Sequence, residues 1–209
     1  MKRYSMLGVL SGVVLFLSLV ACGPERDAAD AALATEIDSH RSQKDSLFRV
    51  SPHSPIPEEE RSDFAGLKYF PVDPELRFDG PIIRYDNPQP DTIVGTKGDL
   101  RPALKYGYFP FIHDGEEYRL QVYKMIRDDP GADNYLFLGF TDRTTGNSTY
   151  GTGRYIDLTE NPANYYRVDF NLAYNPYCAY NPRYSCAVPS PENHLDLAVT
   201  AGEKIYKAH

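Results

Sequence analysis

The sequence predicts a mainly β protein, an antiparallel β-sandwich or barrel-like domain with one N-terminal helix and long ordered loops. From Phe64 onward, short apolar runs alternate with turn residues, which is typical of antiparallel strands. The clearest hairpin joins 104–112 to 118–126 through Asp114 and Gly115, because Asp-Gly readily adopts the positive φ of a tight turn. No run after Phe48 has the length and periodicity of a good helix.

Two further apolar runs are strand candidates. One is 67–70, and the other is 135–140, which we expect to be buried on both faces. The Asp-Pro-Gly sequence at 129–131 predicts a chain reversal before the second run.

The first residues show the order of features of a bacterial lipoprotein signal peptide. Two basic residues precede an apolar run over 6–20, which is short for a membrane span. Small residues then lead to Cys22, which resembles the lipobox cysteine whose sulfur carries diacylglycerol. We expect removal of 1–21, lipidation of Cys22 and a lipid-anchored protein of the cell envelope. Because Gly23 stands where inner-membrane lipoproteins have Asp, we expect the outer membrane, facing the periplasm or the surface.

The remaining chain divides into three parts by composition. Residues 22–30 are small, polar and charged, which is typical of a lipidated tether. Residues 31–50 lack Pro and Gly and carry apolar residues at roughly helical spacing, so they predict an N-terminal helix packed on the domain. We assign 51–209, after an extended proline-rich start, to a single β domain.

The charge balance excludes one class of partner. Twenty-two Lys and Arg face 29 Asp and Glu, for a net charge of −7. A nucleic-acid-binding surface needs clustered positive charge, so we expect no nucleic-acid partner. An acidic body is also repelled by anionic lipid, so we expect the membrane to be contacted through the N-terminal lipid alone.

Two segments, 140–155 and 169–195, contain the polar residues that could form a functional site. In the second, Ala-Tyr-Asn-Pro occurs at 173–176 and again at 179–182, and each Asn-Pro step favours a turn. A loop of about 25 residues without regular structure is usually functional. We therefore expect the two segments to meet and to arrange their side chains at one place.

These segments resemble the signature blocks of domain-of-unknown-function family 1684, found in bacteria and archaea. The first block is matched by Asp142, Thr144, Gly146, Thr149, Tyr150, Gly151, Gly153, Arg154 and Tyr155. The second is matched by Asp169, Phe170, Asn171, Ala173, Tyr174, Asn175, Pro176, Cys178, Ala179, Tyr180, Cys186, Glu192, Asn193 and Leu195. The resemblance runs from about Ile37 to the C-terminus, with departures at Ala187 and Ser190, where family members usually have prolines. It implies a shared fold and site but no established activity.

The charged and amide side chains of the two segments are the candidate site residues. As catalytic candidates, Asp169 and Glu192 would form a general acid/base pair, with Arg154 holding an anionic substrate group. The candidate ligand-binding residues are Asp142, Thr144, Tyr150, Arg154, Asn171, Tyr174 and Asn193. The same residues could instead form a network of ion pairs and caps that pins the loops.

Cys178 and Cys186 have several interpretations. Eight residues apart in an oxidising envelope, they could form a disulfide or remain as packed free thiols. With His194 they could ligate a metal, although the spacing does not resemble the tight pairs of structural zinc sites. Cys178 and His194 could also form a nucleophile pair. Neither metal nor cofactor is the favoured interpretation.

Six tyrosines lie between 165 and 184, and their amphipathic rings suit a binding surface. We favour a binding module with a polar, tyrosine-rich pocket formed by 140–155 and 169–195, for a small molecule or glycan. One alternative is a hydrolase that acts on an envelope substrate through the carboxylate pair. The other is a structural or partner-docking lipoprotein. Familiar hydrolase, zinc-protease and nucleotide-binding motifs are absent from the sequence.

Overall fold

The structure is a computed structural model that describes residues 24–126 and 134–207. The predicted signal peptide, the lipidation of Cys22 and the predicted chain reversal at 129–131 lie outside these residues. The described chain is mainly β, with antiparallel strands and one long N-terminal helix, which confirms the predicted fold class.

The N-terminal helix α1 spans Pro24–Val50, and is therefore longer than predicted. The predicted tether over 22–30 is helical from Pro24 onward. Proline suits the first turn of a helix, and Glu25 and Asp27 place negative charge near the N-terminal end of the helix dipole. The buried side chains of α1 include Leu33, Ile37 and Phe48, and Phe48 packs in a cluster with Phe64 and Tyr180. Within the described ranges, no helix has the length and apolar content needed to cross a membrane.

Among the described residues, nine strands follow α1. Their bounds are β1 Arg77–Gly80, β2 Ile83–Arg84, β3 Pro90–Val94, β4 Leu100–His113, β5 Glu116–Met125, β6 Tyr135–Asp142, β7 Arg154–Thr159, β8 Tyr166–Asp169 and β9 His194–Leu195. The main sheet has the order β2-β4-β5-β6-β7, with β3 on β4 and β9 on β6. Strands β1 and β8 form a separate antiparallel pair. The pairing of β6 with β9 is parallel, unlike the other pairs.

The predicted central hairpin is confirmed. Strands β4 and β5 pair from Ala103 opposite Met125 to His113 opposite Glu116, which leaves Asp114 and Gly115 as the two turn residues. Both have positive φ, 51° and 78°, as a two-residue hairpin turn with this right-handed twist requires. The predicted strand over 67–70, in contrast, is reduced to an isolated bridge between Tyr69 and Glu203.

The main sheet buries apolar side chains on both faces. Alternate residues of β6 belong to different clusters: Leu136 and Leu138 lie in the largest core, whereas Phe137 lies in a second cluster. This follows from the two-residue period of a strand. The second cluster also contains Tyr123 and Tyr155, and it lies on the face of the sheet that borders the cleft described below.

In the part of the chain that the structure describes, the long connections contain five short 3-10 helices, at Glu58–Asp63, Pro74–Leu76, Phe170–Leu172, Tyr177–Ala179 and Pro191–Asn193. Three of them lie inside the predicted 169–195 loop. This loop is therefore ordered by local turns and by hydrogen bonds to the sheet, as the prediction of long ordered loops requires.

Candidate functional site

A cleft of about 680 Å³ lies between the C-terminal half of α1, the β5–β7 part of the sheet and the segment 174–187. Its aromatic lining residues are Phe48, Tyr135, Phe137, Tyr155, Tyr174, Tyr177 and Tyr184. Five of these seven are tyrosines, so the wall combines flat apolar faces with polar edges.

The rings of the cleft support one another by edge-to-face packing. Tyr155 packs against Phe137 at 4.8 Å between ring centroids and against Tyr174 at 5.8 Å, with interplanar angles of 80° and 81°. Nearer the mouth, Tyr177 and Tyr184 pack at 5.3 Å. The Tyr155 hydroxyl donates to the carbonyl of Ala187. Because tilted pairs of this kind are favourable, the rings are held in place without a ligand.

The carboxylate of Asp157 on β7 lies beside two of these tyrosines. The hydroxyls of Tyr135 and Tyr174 each donate to Asp157, at 2.8 Å. Burial, and next the negative charge of Asp157, raise the pKa of Tyr174 well above its ordinary value. The Tyr174 hydroxyl therefore stays protonated and serves as a donor, and the carboxylate fixes the direction of both O–H groups.

The opposite wall comes from α1. Its Lys44 forms an ion pair with the buried carboxylate of Glu203, with 2.6 Å between Nζ and Oε1. The same ammonium lies over the ring of Tyr174 at 4.6 Å and over that of Phe48 at 5.2 Å. Glu203 also accepts hydrogen bonds from the Tyr180 hydroxyl and the Asn175 backbone. These contacts hold α1 against the cleft.

Arg154, predicted to hold a ligand, is buried in the core instead, with 1% of its side chain exposed. Its Nη2 atom donates to Asp142 Oδ2 at 2.7 Å and to the carbonyl of Val199 at 2.9 Å. Its Nη1 atom donates to the carbonyls of Ala201 and Glu203. With its charge paired and its donors directed at the C-terminal segment, Arg154 pins the chain and does not face a ligand.

The other candidates of the first segment also have structural contacts. Asp142 Oδ1 accepts from the backbone and hydroxyl of Thr144, which closes a tight turn after β6. Thr144 is buried and exchanges a hydroxyl hydrogen bond with Thr149. The Tyr150 hydroxyl donates to the sulfur of Cys178 at 3.6 Å, which is a direct contact between the two predicted segments.

The two candidate catalytic carboxylates take separate partners. Asp169 is buried, accepts two hydrogen bonds from Asn171 and lies 3.6 Å from Arg77. Glu192 accepts hydrogen bonds from Lys105 at 2.8 Å and Tyr123 at 2.7 Å. Although burial raises the pKa of Glu192, these two donors outweigh it and hold that pKa below its ordinary value. Asp169 and Glu192 therefore contact different basic residues, Arg77 and Lys105, and the lowered pKa of Glu192 does not suit a general acid.

The two amides among the candidates also pin backbone. Asn171 bridges the N–H and C=O of Asp73, at 2.8 Å each. Asn193 accepts from the N–H of Gln121 and donates to the carbonyls of Gln121 and Gly139. The 169–195 segment is therefore fastened to different strands at different points. The two predicted segments do meet, as in the backbone pairing of Tyr155 with Tyr174, but Asn171 and Asn193 take partners outside 140–155.

The cysteines are free and buried in the structure, not joined by a disulfide. The proposed metal set also fails, because the described residues contain no group of three or more His, Cys, Asp or Glu side chains able to hold a metal ion. His194 shares a hydrogen bond with Thr141 instead, at 3.0 Å, so it does not pair with Cys178 as a nucleophile would require.

Of the predicted residues, Tyr174 and Cys186 line the cleft. The sequence reasoning missed the contributions of α1, chiefly His40, Gln43 and Lys44, and that of Asp157 on β7. The alternation of buried and exposed residues in β7 could have indicated Asp157 as an outward side chain. No local signal shows that α1 forms a wall, since its contacts join residues far apart in sequence.

Comparison with known proteins agrees with the architecture. The solution NMR structure of an uncharacterized protein from Haloarcula marismortui is 35% identical, with a TM-score of 0.62, over 86% of this chain and 97% of that one. A search of the curated proteins gave no match. The family described as "Protein of unknown function (DUF1684)" matches residues 62–204. As the resemblance of the two sequence blocks indicated, the chain belongs to the DUF1684 family.

Proposed function

We propose that this protein is an envelope lipoprotein that binds a small, ring-shaped polar molecule, such as a sugar unit of a glycan, in the tyrosine-lined cleft. The observation that carries the proposal is the cleft itself, about 680 Å³ in volume and lined by five tyrosines. Binding sites for small molecules have volumes of about 300–1,000 Å³ and combine apolar walls with a few placed polar groups.

The chemistry of the walls favours a sugar over a purely apolar ligand. A sugar ring offers C–H faces that pack on aromatic rings, and hydroxyls that need hydrogen-bond partners at the ring edges. Tyr177 is 43% exposed and offers a stacking face at the mouth. Exposed His40 and Gln43 on α1, with Ser185 opposite, provide polar groups along the same cleft.

The position of α1 connects the cleft to the predicted anchor. The helix starts at Pro24, two residues after the predicted lipidated Cys22. With a rise of 1.5 Å per residue, His40 and Lys44 lie roughly 25–30 Å along the helix from its start. A rigid spacer of this length would hold the cleft clear of the lipid headgroups, where a soluble glycan could reach it.

Saturation-transfer NMR with soluble saccharides tests the proposal. N-acetylglucosamine, glucose and maltotriose are mixed in turn with the protein, and we expect saturation to reach the ring protons of at least one. Tyr177→Ala should remove this transfer because it deletes the stacking face. Tyr165→Ala is the matched control, since Tyr165 is also an exposed tyrosine (61%) but does not line the cleft.

Two results would count against saccharide binding. One is the absence of transfer to every sugar tested, which would favour a structural or partner-docking lipoprotein. The other is an equal loss of transfer in both tyrosine variants, which would mean non-specific stacking. The anchor is tested separately: mass spectrometry of the protein from membranes should find diacylglycerol on Cys22, and Cys22→Ser should release the protein from the membrane fraction.

A further inference from the structure

The two cysteines lie against each other at the edge of the cleft. Cys178 belongs to the 3-10 helix Tyr177–Ala179, and its backbone N–H donates to the sulfur of Cys186 at 3.1 Å. Both thiols are free and mostly buried, with 9% and 7% of the residues exposed. Cys186 lines the cleft, so a small solute that enters the cleft reaches the Cys186 side of the pair.

The surroundings of the two sulfurs differ. The Tyr150 hydroxyl donates to Cys178 at 3.6 Å. The backbone of Cys186 is held by two hydrogen bonds to Thr96. Its N–H donates to the Thr96 hydroxyl at 3.1 Å, and its C=O accepts from the Thr96 N–H at 2.8 Å. The Cys178 sulfur therefore accepts a hydrogen bond from a hydroxyl, whereas Cys186 is fixed beside it through its backbone.

We propose that Cys178 and Cys186 are a peroxide-reactive dithiol, in which Cys178 attacks hydrogen peroxide and Cys186 resolves the product to a disulfide. Hydrogen peroxide is the oxidant in this reaction because it is small enough to reach sulfurs that are mostly buried. The proposal does not depend on the occupant of the cleft.

The electronic environment agrees with this division of roles. Hydrogen bonding from Cys186, and further from Tyr150 and Thr96, lowers the pKa of Cys178 to about 6 despite burial. The same hydrogen bond, followed by burial, raises the pKa of Cys186. At neutral pH Cys178 is then the thiolate and Cys186 the protonated thiol, and only a thiolate reacts readily with peroxide.

The chemistry balances in two steps. The Cys178 thiolate attacks one peroxide oxygen, an S–O bond forms, the O–O bond breaks, and the hydroxide that leaves takes up a proton to become water. The Cys186 sulfur then attacks the sulfenic sulfur, an S–S bond forms, the S–O bond breaks, and the departing hydroxide takes the Cys186 proton as a second water. The two thiols lose two electrons and one peroxide is reduced.

Peptide mass spectrometry of the full chain tests the proposal. The reduced protein is treated with hydrogen peroxide, its remaining thiols are alkylated, and it is digested with trypsin, which cuts after Arg183 between the two cysteines. We expect peptide 168–183 joined to peptide 184–204, and recovery of the separate peptides after dithiothreitol. Cys22 lies on a different peptide and does not interfere.

Substitutions separate the roles. In Cys186→Ser, dimedone should label Cys178 as its sulfenic acid, whereas in Cys178→Ser peroxide should leave Cys186 alkylatable. The pH profile of oxidation in the wild type should have its midpoint below that of an ordinary cysteine, because the pKa of Cys178 is lowered. Tyr150→Phe should raise this midpoint, because it removes a donor to the thiolate.

Any of four outcomes overturns the proposal: both cysteines stay alkylatable after peroxide, dimedone labels Cys186 in place of Cys178, the midpoint lies near that of an ordinary cysteine, or the pair is already linked and resists dithiothreitol. The last outcome would identify a structural disulfide. The wild-type measurements need no variant, so they decide the matter even where a substitution impairs folding.

Discussion

Replacement of Arg154 by Met tests whether the residue that most resembled a ligand clamp is a structural pin. Met keeps the length and much of the volume of the side chain but removes its charge and its donors. In the structure those donors serve Asp142 and the carbonyls of Val199, Ala201 and Glu203. The substitution therefore leaves a buried carboxylate without its cation and three carbonyls without a donor.

The expected loss is large compared with the stability of a domain. Removal of one partner from a buried ion pair costs about 3–5 kcal/mol, because the other charge stays buried and uncompensated. Asp142 keeps its two hydrogen bonds from Thr144, which still stabilise its charge. We therefore expect the loss of stability not to exceed the upper end of that range. Domains of 150–250 residues change their melting temperature by about 2–4 °C per kcal/mol, which predicts a fall of roughly 6–20 °C.

Urea denaturation followed by tyrosine fluorescence measures the loss, since the chain has no Trp. The matched control is Arg143→Met, whose partner is Asp196 at 2.6 Å but whose side chain is 59% exposed, so its removal should hardly change stability. Adding Asp142→Asn to Arg154→Met should recover part of the loss, because the uncompensated charge is then gone. If Arg154→Met unfolds within about 1 kcal/mol of the wild type, the interpretation of Arg154 as a pin is wrong.

Two further predictions concern backbone strain and pH. Gly153→Ala should destabilise the protein by about 1–3 kcal/mol, because Gly153 has φ +100° and an added Cβ would lie 2.5 Å from a carbonyl oxygen of β6. Thermal melting measures the loss, and Gly151→Ala is the control, since its added Cβ would meet no atom closer than 4.0 Å. The hydrogen bond from Lys124 lowers the pKa of Glu160, because its effect is larger than the opposing effect of burial. A lowered folded-state pKa stabilises the protein above the unfolded value of about 4.3, and this contribution is lost as the pH falls through the folded value. Glu160→Gln should therefore lower the urea midpoint at pH 7, and the difference from wild type should vanish in strong acid; a constant difference would refute this.

Local sequence patterns were sufficient for the elements of the fold. The Asp114-Gly115 turn and its flanking apolar alternation predicted the β4–β5 hairpin with its correct turn, since both signals act within a few residues. The apolar run that became β6 was likewise recognised as buried on both faces. The start of α1 was missed because charged residues at 25–30 suggested a tether, whereas negative charge in a first turn also favours a helix.

The candidate site was harder to predict because residue type does not determine burial. Arg154, Asp169 and Asn193 have side chains that ligand sites use, and the same donors and acceptors also pin buried backbone. A sequence cannot distinguish these roles, since the difference depends on which carbonyls and carboxylates the fold brings within about 3 Å. Tyr174 lies in the wall of the cleft, where the tyrosine-rich segment predicted a pocket, and its role in ligand binding stays a prediction.

By itself the sequence determined that the chain is mainly β, that a helix precedes the strands, and that two polar blocks identify its family, because each of these depends on residues near one another in the chain. The tertiary structure alone decided that Lys44 of α1, Asp157 of β7 and Tyr177 border one cleft, and that Cys178 and Cys186 lie together at its edge. These groupings depend on strand register and on the docking of α1. Both are set by the packing of the whole core and not by any local pattern.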